Sequence, residues 1–162
     1  MKTLVTGGTG FLGAYLLYYL WQEGHAIKAL KRPGSSFEHL KLAFTFLGEQ
    51  DGLSAKESLA GLNDFEWVNA ELLDTEKIRE TLKDVNTIYH SAAKVSFNPK
   101  EADSILATNL EGTTNLVNLA VQEKVPYFFH ISSVSALERK SGQWITEQMN
   151  HLPKKFPTIY GE

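Results

Sequence analysis

The chain has 162 residues, enough for one domain with a buried core, and an ordinary globular composition. Its 16 lysines and arginines stand against 19 aspartates and glutamates, a net charge of -3, which argues against nucleic-acid or membrane partners. It has no cysteine, and its five histidines are scattered, so neither disulfides nor a metal site is expected.

Lys2 to Thr6 reads as a short buried strand, and about Phe11 to Glu23 as a helix apolar nearly all round, ended by Gly24. Met1 leads straight into the first strand with no signal peptide, and no apolar run is long enough to span a bilayer; a cytoplasmic protein is expected. Tyr15, Tyr18, Tyr19 and Trp21 have helical spacing and read as packing residues rather than a binding box. Strand two is Ala26 to Lys31, followed by a turn at Arg32-Pro33-Gly34-Ser35-Ser36. Phe37 to Leu47 is helical in spacing, with a further short helix from Ser54 to Leu59. Strand three is about Phe65 to Asn69, and a helix from Glu76 to Leu82 is capped by Asp74 or Thr75. Strand four is Thr87 to His90, a long helix covers about Asp103 to Glu123, and strand five is Tyr127 to Ile131.

Strands alternating with helices predict an α/β fold, a doubly wound parallel sheet of the Rossmann kind in the order 3-2-1-4-5. Ligand then lies at the carboxyl ends of the strands.

Between strand one and the first helix stands Thr6-Gly7-Gly8-Thr9-Gly10-Phe11-Leu12-Gly13. A strand, a glycine-dense turn and a helix start make a phosphate cradle, because glycines let the backbone approach and the helix presents N–H groups to an anion. Gly7, Thr9, Gly10, Phe11, Leu12 and Gly13 are its candidate residues. The spacing is G-x-x-G-x-x-G, and no Gly-Lys-Ser/Thr follows, which excludes a Walker-type loop.

An acid after strand two binds the ribose of NAD, whereas a basic residue there accommodates the extra phosphate of NADP. Gly24 to Phe37 contains no acid but does contain Lys28, Lys31 and Arg32. NADP is therefore expected ahead of NAD, with Arg32 the best clamp and Lys31 beside it. The missing acid also argues against a methyltransferase-like sheet. Glu71 and Leu72 are a candidate wall for adenine; Asp74 reads equally as a helix cap. Ser91, Ala92 and Ala93 are small enough for a cofactor to lie against the backbone. His90 reads as a buried, satisfied histidine. Asn109 and Gly112 are poor mid-helix choices, explained by a buried hydrogen bond and close packing. Ser132, Ser133 and Ser135 end strand five, and a tyrosine such as Tyr160 can serve as acid and base beside a cation.

Together these motifs resemble the extended short-chain dehydrogenase/reductase family, the NAD-dependent epimerase/dehydratase group. The resemblance covers nearly the whole chain. It rests on Thr-Gly-Gly-Thr-Gly-Phe-Leu-Gly, on His-Ser-Ala-Ala at 90–93, on Asn109-x-x-Gly112-Thr113, on Ser132-Ser133 and on Tyr160-Gly161. Arg32 is similar to the dihydroflavonol-reductase-like branch, which uses NADPH. The resemblance implies hydride transfer between nicotinamide and a carbonyl or hydroxyl carbon of a small-molecule substrate. The reaction is that of an oxidoreductase or of a sugar-nucleotide epimerase or dehydratase. It implies that Ser133 binds the substrate oxygen, that Tyr160 moves its proton, and that Asn109 stands on the cofactor side. Glu71 occupies a position where the family usually has Asp. The family lysine would fall two residues beyond Glu162, and the substrate domain would follow it. The chain is therefore expected to be the amino-terminal part of a longer, homodimeric enzyme, inactive by itself. A non-catalytic NAD(P) sensor of the same fold is the alternative.

Overall fold

A computed structural model describes residues 2–137 and, beyond them, Gly142, Trp144, Thr146 and Glu147. Five parallel strands form one sheet in the order β3-β2-β1-β4-β5, as the alternation of elements predicts. The strands are β1 (Lys2–Thr6), β2 (Ala26–Lys31), β3 (Glu66–Asn69), β4 (Val85–His90) and β5 (Tyr127–His130). The helices are α1 (Phe11–Gln22), α2 (Glu38–Gln50), α3 (Ala55–Ala60), α4 (Thr75–Leu82), α5 (Ala102–Leu106) and α6 (Gly112–Gln122).

Successive strand residues face opposite sides of the sheet, so β1 feeds two cores. Val5 joins Leu17, Tyr18, Leu40 and Phe44 on the side covered by α1 and α2. Leu4 joins Leu30, Ile78, Ile88 and Leu116 on the side covered by α4 and α6. This double burial is why β1 and β2 are buried along nearly their whole length, polar Thr3, Thr6 and Lys28 included. The aromatic stripe of α1 is packing: Tyr18 is fully buried, with its ring 5.2 Å from that of Phe44, while Tyr19 stays on the outside.

Helix boundaries follow local chemistry. Gly24 sits at φ +74 and its N–H donates to the Trp21 carbonyl, ending α1. Ser54 and Glu57 form a reciprocal capping box on α3. Asp74 caps α4, accepting from the Lys77 N–H at 3.1 Å, so capping is its role here.

The long helix expected from Asp103 to Glu123 is interrupted. Between α5 and α6, Ala107–Glu111 forms a π-helical turn. The extra residue in that turn shifts the helix face, and such turns are frequent at functional sites.

Candidate functional site

The carboxyl ends of β1, β2, β3 and β4 open into a cleft of about 370 Å³. That volume lies in the range of small-molecule and cofactor sites. Four loops and the long helix line it.

The first wall is the glycine turn, where Gly7, Thr9 and Gly10 face the cleft. Gly7 sits at φ +73, and a Cβ on it would stand 2.7 Å from the Ala92 nitrogen. The Gly10 N–H donates to the Gly7 carbonyl at 2.9 Å, closing the turn. Gly13 is buried, and a Cβ there would collide with that same carbonyl oxygen. Three glycines therefore serve one fold of backbone, each because a side chain would displace a neighbour. No side chain caps α1 at Gly10, and its first turn carries no acid. A helix start of this kind, with unpaired N–H groups and the positive end of the dipole, favours an anion. Phe11 and Leu12 project outward and do not line the cleft, so what they offer a ligand is backbone.

The second wall comes from the end of β2. Lys31, Arg32, Ser35 and Ser36 line it, and His39 joins from the first turn of α2. Arg32 is exposed. The Lys31 ammonium lies 5.5 Å over the Phe37 ring, a cation–π contact that anchors it beside the cleft. Lys28, grouped with these bases in the sequence reading, belongs elsewhere. It is buried, and its ammonium donates to the Thr81 carbonyl at 3.0 Å and the Lys83 carbonyl at 3.1 Å, with Glu66 at 3.6 Å. It closes the carboxyl end of α4, where unpaired carbonyls and the helix dipole favour a cation.

Ala70, Glu71, Leu72 and Leu73 form the third wall. Glu71 is exposed and Leu72 nearly buried. Behind Leu72 stands Gly112: a Cβ there would meet the Leu72 Cβ at 2.8 Å. The mid-helix glycine thus lets α6 support this wall.

Ser91, Ala92 and Ala93 form the fourth wall, with Thr108 opposite. The Ser91 hydroxyl and N–H both donate to the Thr6 carbonyl, at 2.7 and 3.3 Å. Asn109 is not on the cleft surface. Its side-chain oxygen accepts the Lys94 N–H at 2.8 Å and its amide donates to the Lys94 carbonyl at 3.0 Å. It holds this loop through both backbone groups of one residue, Lys94.

His90 is fully buried between these walls. Nδ1 is 2.7 Å from the Thr6 hydroxyl, Nε2 is 2.8 Å from the Thr113 hydroxyl, and the ring stacks on His130 with centroids 5.2 Å apart. Burial, and secondarily the nearby His130, lowers its pKa to about 4, so the imidazole is neutral near pH 7. The expected satisfied histidine is what the structure contains.

Ser133 follows β5, half-buried, at the edge of the sheet beside the β4 loop. It does not line the cleft. Tyr160 lies outside the described residues. Among the described residues no group of three or more histidines, aspartates and glutamates is placed to hold a metal ion. None of their helices is long and apolar enough to cross a membrane.

Sequence reasoning missed Ser35, Ser36, His39 and Thr108 as cleft residues. Ser35 and Ser36 lay within a turn already recognised. Thr108 adjoins Asn109 and lies within the π turn.

A sequence profile described as the NAD dependent epimerase/dehydratase family matches residues 3–161. Among curated relatives, "Sterol demethylase protein B" of Methylococcus capsulatus is 31% identical over 85% of this chain and 36% of that protein. The "Putative dihydroflavonol 4-reductase" of Synechocystis is 26% identical over 96% of this chain and 40% of its own length. The chain thus spans well under half of either relative. Among solved structures, the UDP-glucose-4-epimerase of Stenotrophomonas maltophila with bound NAD superposes with TM-score 0.74 at 20% identity. That likeness covers 99% of this chain and 44% of the epimerase, and shows the shared fold.

Proposed function

The chain belongs to the NAD dependent epimerase/dehydratase family, and from that premise we propose that it is the cofactor-binding part of an NADP-preferring oxidoreductase. The observation that carries this reading is the cleft. Its glycine turn packs so closely that a Cβ at Gly7 or Gly13 would strike neighbouring backbone, and its second wall carries Arg32 and Lys31 with no acid between Gly24 and Phe37.

The residues present fit a nicotinamide dinucleotide. Backbone N–H groups of the turn and of the α1 start would hold the pyrophosphate. Arg32, assisted by Ser35 and Ser36, would take the 2′-phosphate, since guanidinium binds phosphate through two parallel hydrogen bonds. Glu71 and Leu72 would meet the adenine edge and face. Ser91, Ala92 and Ala93 would back the central part of the molecule. The nicotinamide, when bound, supplies hydride chemistry.

On the protein side, Ser133 would hydrogen-bond the substrate oxygen and Tyr160 would give or take its proton. The substrate is a small molecule with a carbonyl or hydroxyl carbon. The names of the curated relatives, a reductase and a sterol-demethylation protein among them, favour a reductase over a sugar-nucleotide epimerase. A homodimer belongs to the same proposal, and Leu110, Val117 and Val121 are exposed along the 102–122 helix to meet a second copy.

Calorimetric titration of the 162-residue chain with NADPH and NADH tests the reading. Saturable binding of both, tighter for NADPH, is expected, together with no turnover of aldehydes or ketones by this chain alone. Absence of binding by either nucleotide would overturn it.

A further inference from the structure

His90 is the last residue of β4 and stands opposite Thr6, the last residue of β1, in the sheet register. The three structures that shape the cleft meet at this pair. Thr6 leads into the glycine turn. The Ala92 N–H, next to the position that a Gly7 Cβ would take, donates to the Thr6 hydroxyl at 3.2 Å. Thr113, the other partner of His90, stands on α6 beside Gly112, which backs Leu72.

A proton inventory gives this arrangement a direction. A threonine hydroxyl has one hydrogen to donate and two lone pairs to accept. With Ala92 N–H occupying one lone pair, the Thr6 hydrogen is left to donate, and His90 Nδ1 is the acceptor 2.7 Å away. Nδ1 must then be bare, and Nε2 carries the proton that it donates to the Thr113 hydroxyl. The opposite tautomer would make Thr6 accept twice and strand its hydrogen in a buried place, which is costly.

We propose that His90 is a positioning residue for the nucleotide: as the Nε2–H tautomer it orients the Thr6 hydroxyl and thereby holds the Ala92 wall against Gly7. It touches no ligand. Its effect passes through Thr6 to the β4 loop, and through Thr113 to the helix behind Leu72. The inference rests on the reading of the cleft as a nucleotide site.

A double-mutant cycle on the nucleotide dissociation constant is the test. H90F keeps an aromatic ring but removes both hydrogen bonds, and T6V removes the hydroxyl. Each is expected to weaken NADPH binding roughly tenfold, with the double variant little worse than either, because both break one chain. H90N, whose amide reaches the Nδ1 position, should recover most of the loss. Lower thermal stability with affinity within about twofold of the parent would overturn the proposal.

Two readouts on the parent fold do not depend on nucleotide. Long-range ¹⁵N–¹H spectra should show the His90 proton on Nε2; a proton on Nδ1 overturns the proposal even if H90F does not fold. Amide exchange at Ala92 should quicken in T113V; unchanged protection counts against the link. If the parent binds no nucleotide but both signatures appear, the functional reading and the nucleotide role of His90 fail together, and only the hydrogen-bond chain through Thr6 and Thr113 is left.

Discussion

Gly7 and Ala92 approach so closely that a single methyl group on Gly7 would stand 2.7 Å from the Ala92 nitrogen. The contact joins the turn after β1 to the loop after β4, and these two loops form adjacent walls of the cleft. Gly7→Ala is penalised twice, once by the steric contact and once by φ +73. A loss of about 2 kcal/mol or more in stability is expected, with nucleotide affinity falling further because the two walls move apart. Chemical denaturation and calorimetric titration of the same variant measure both.

Arg32 separates the two nicotinamide nucleotides. Arg32→Ala should weaken NADPH by roughly tenfold or more, the value of charge-assisted hydrogen bonds to a phosphate, and leave NADH nearly unchanged. Parallel titrations with the two nucleotides are the check. Equal losses would remove the phosphate clamp from the account.

Lys28 provides the contrasting case. Lys28→Met keeps the volume but leaves the Thr81 and Lys83 carbonyls without their donor. A stability loss of about 1–3 kcal/mol is expected, with affinity for either nucleotide unaltered. A selective loss of NADPH binding would return Lys28 to the phosphate site.

The His90 ring gives the protein a defined acid sensitivity. Its folded pKa of about 4 lies below the ordinary value of 6.5, so the unfolded chain binds the proton more readily. The stabilisation is complete above about pH 6.5 and is lost as pH falls toward 4. Between about pH 7 and about pH 5 the loss is roughly 2 kcal/mol. Glu66, held below the usual carboxylate range chiefly by the Lys2 ammonium, acts in the same direction at lower pH. Urea denaturation across this range should show a slope that H90F flattens.

Much of this architecture was legible in the chain. β1 and β2 were bounded by glycine, proline and charged residues, and their continuous burial follows from helices covering both faces of the sheet. Ser54 and Asp74 announced their helices because a cap is a local interaction. The π turn at Ala107–Glu111 was not legible, since apolar spacing continues through it and one extra residue leaves little trace. Lys28 misled for a related reason. Its partners are carbonyls more than fifty residues away, and a backbone carbonyl has no sequence signature. In the cleft, glycines and small residues were found because their need is steric. His39 was missed because an exposed polar residue in a first helical turn looks like any other. Tyr160, singled out by its chemistry and given its role by the resemblance, lies outside the described residues.

The central claim is that backbone N–H groups at the glycine turn and the α1 start grip a pyrophosphate. Amide chemical shifts followed during NADPH titration test it residue by residue. The account predicts that Gly10, Phe11, Leu12 and Gly13 move first and saturate together, with Ala92 alongside. Saturable binding that leaves those amides unmoved and shifts another face of the sheet would contradict it.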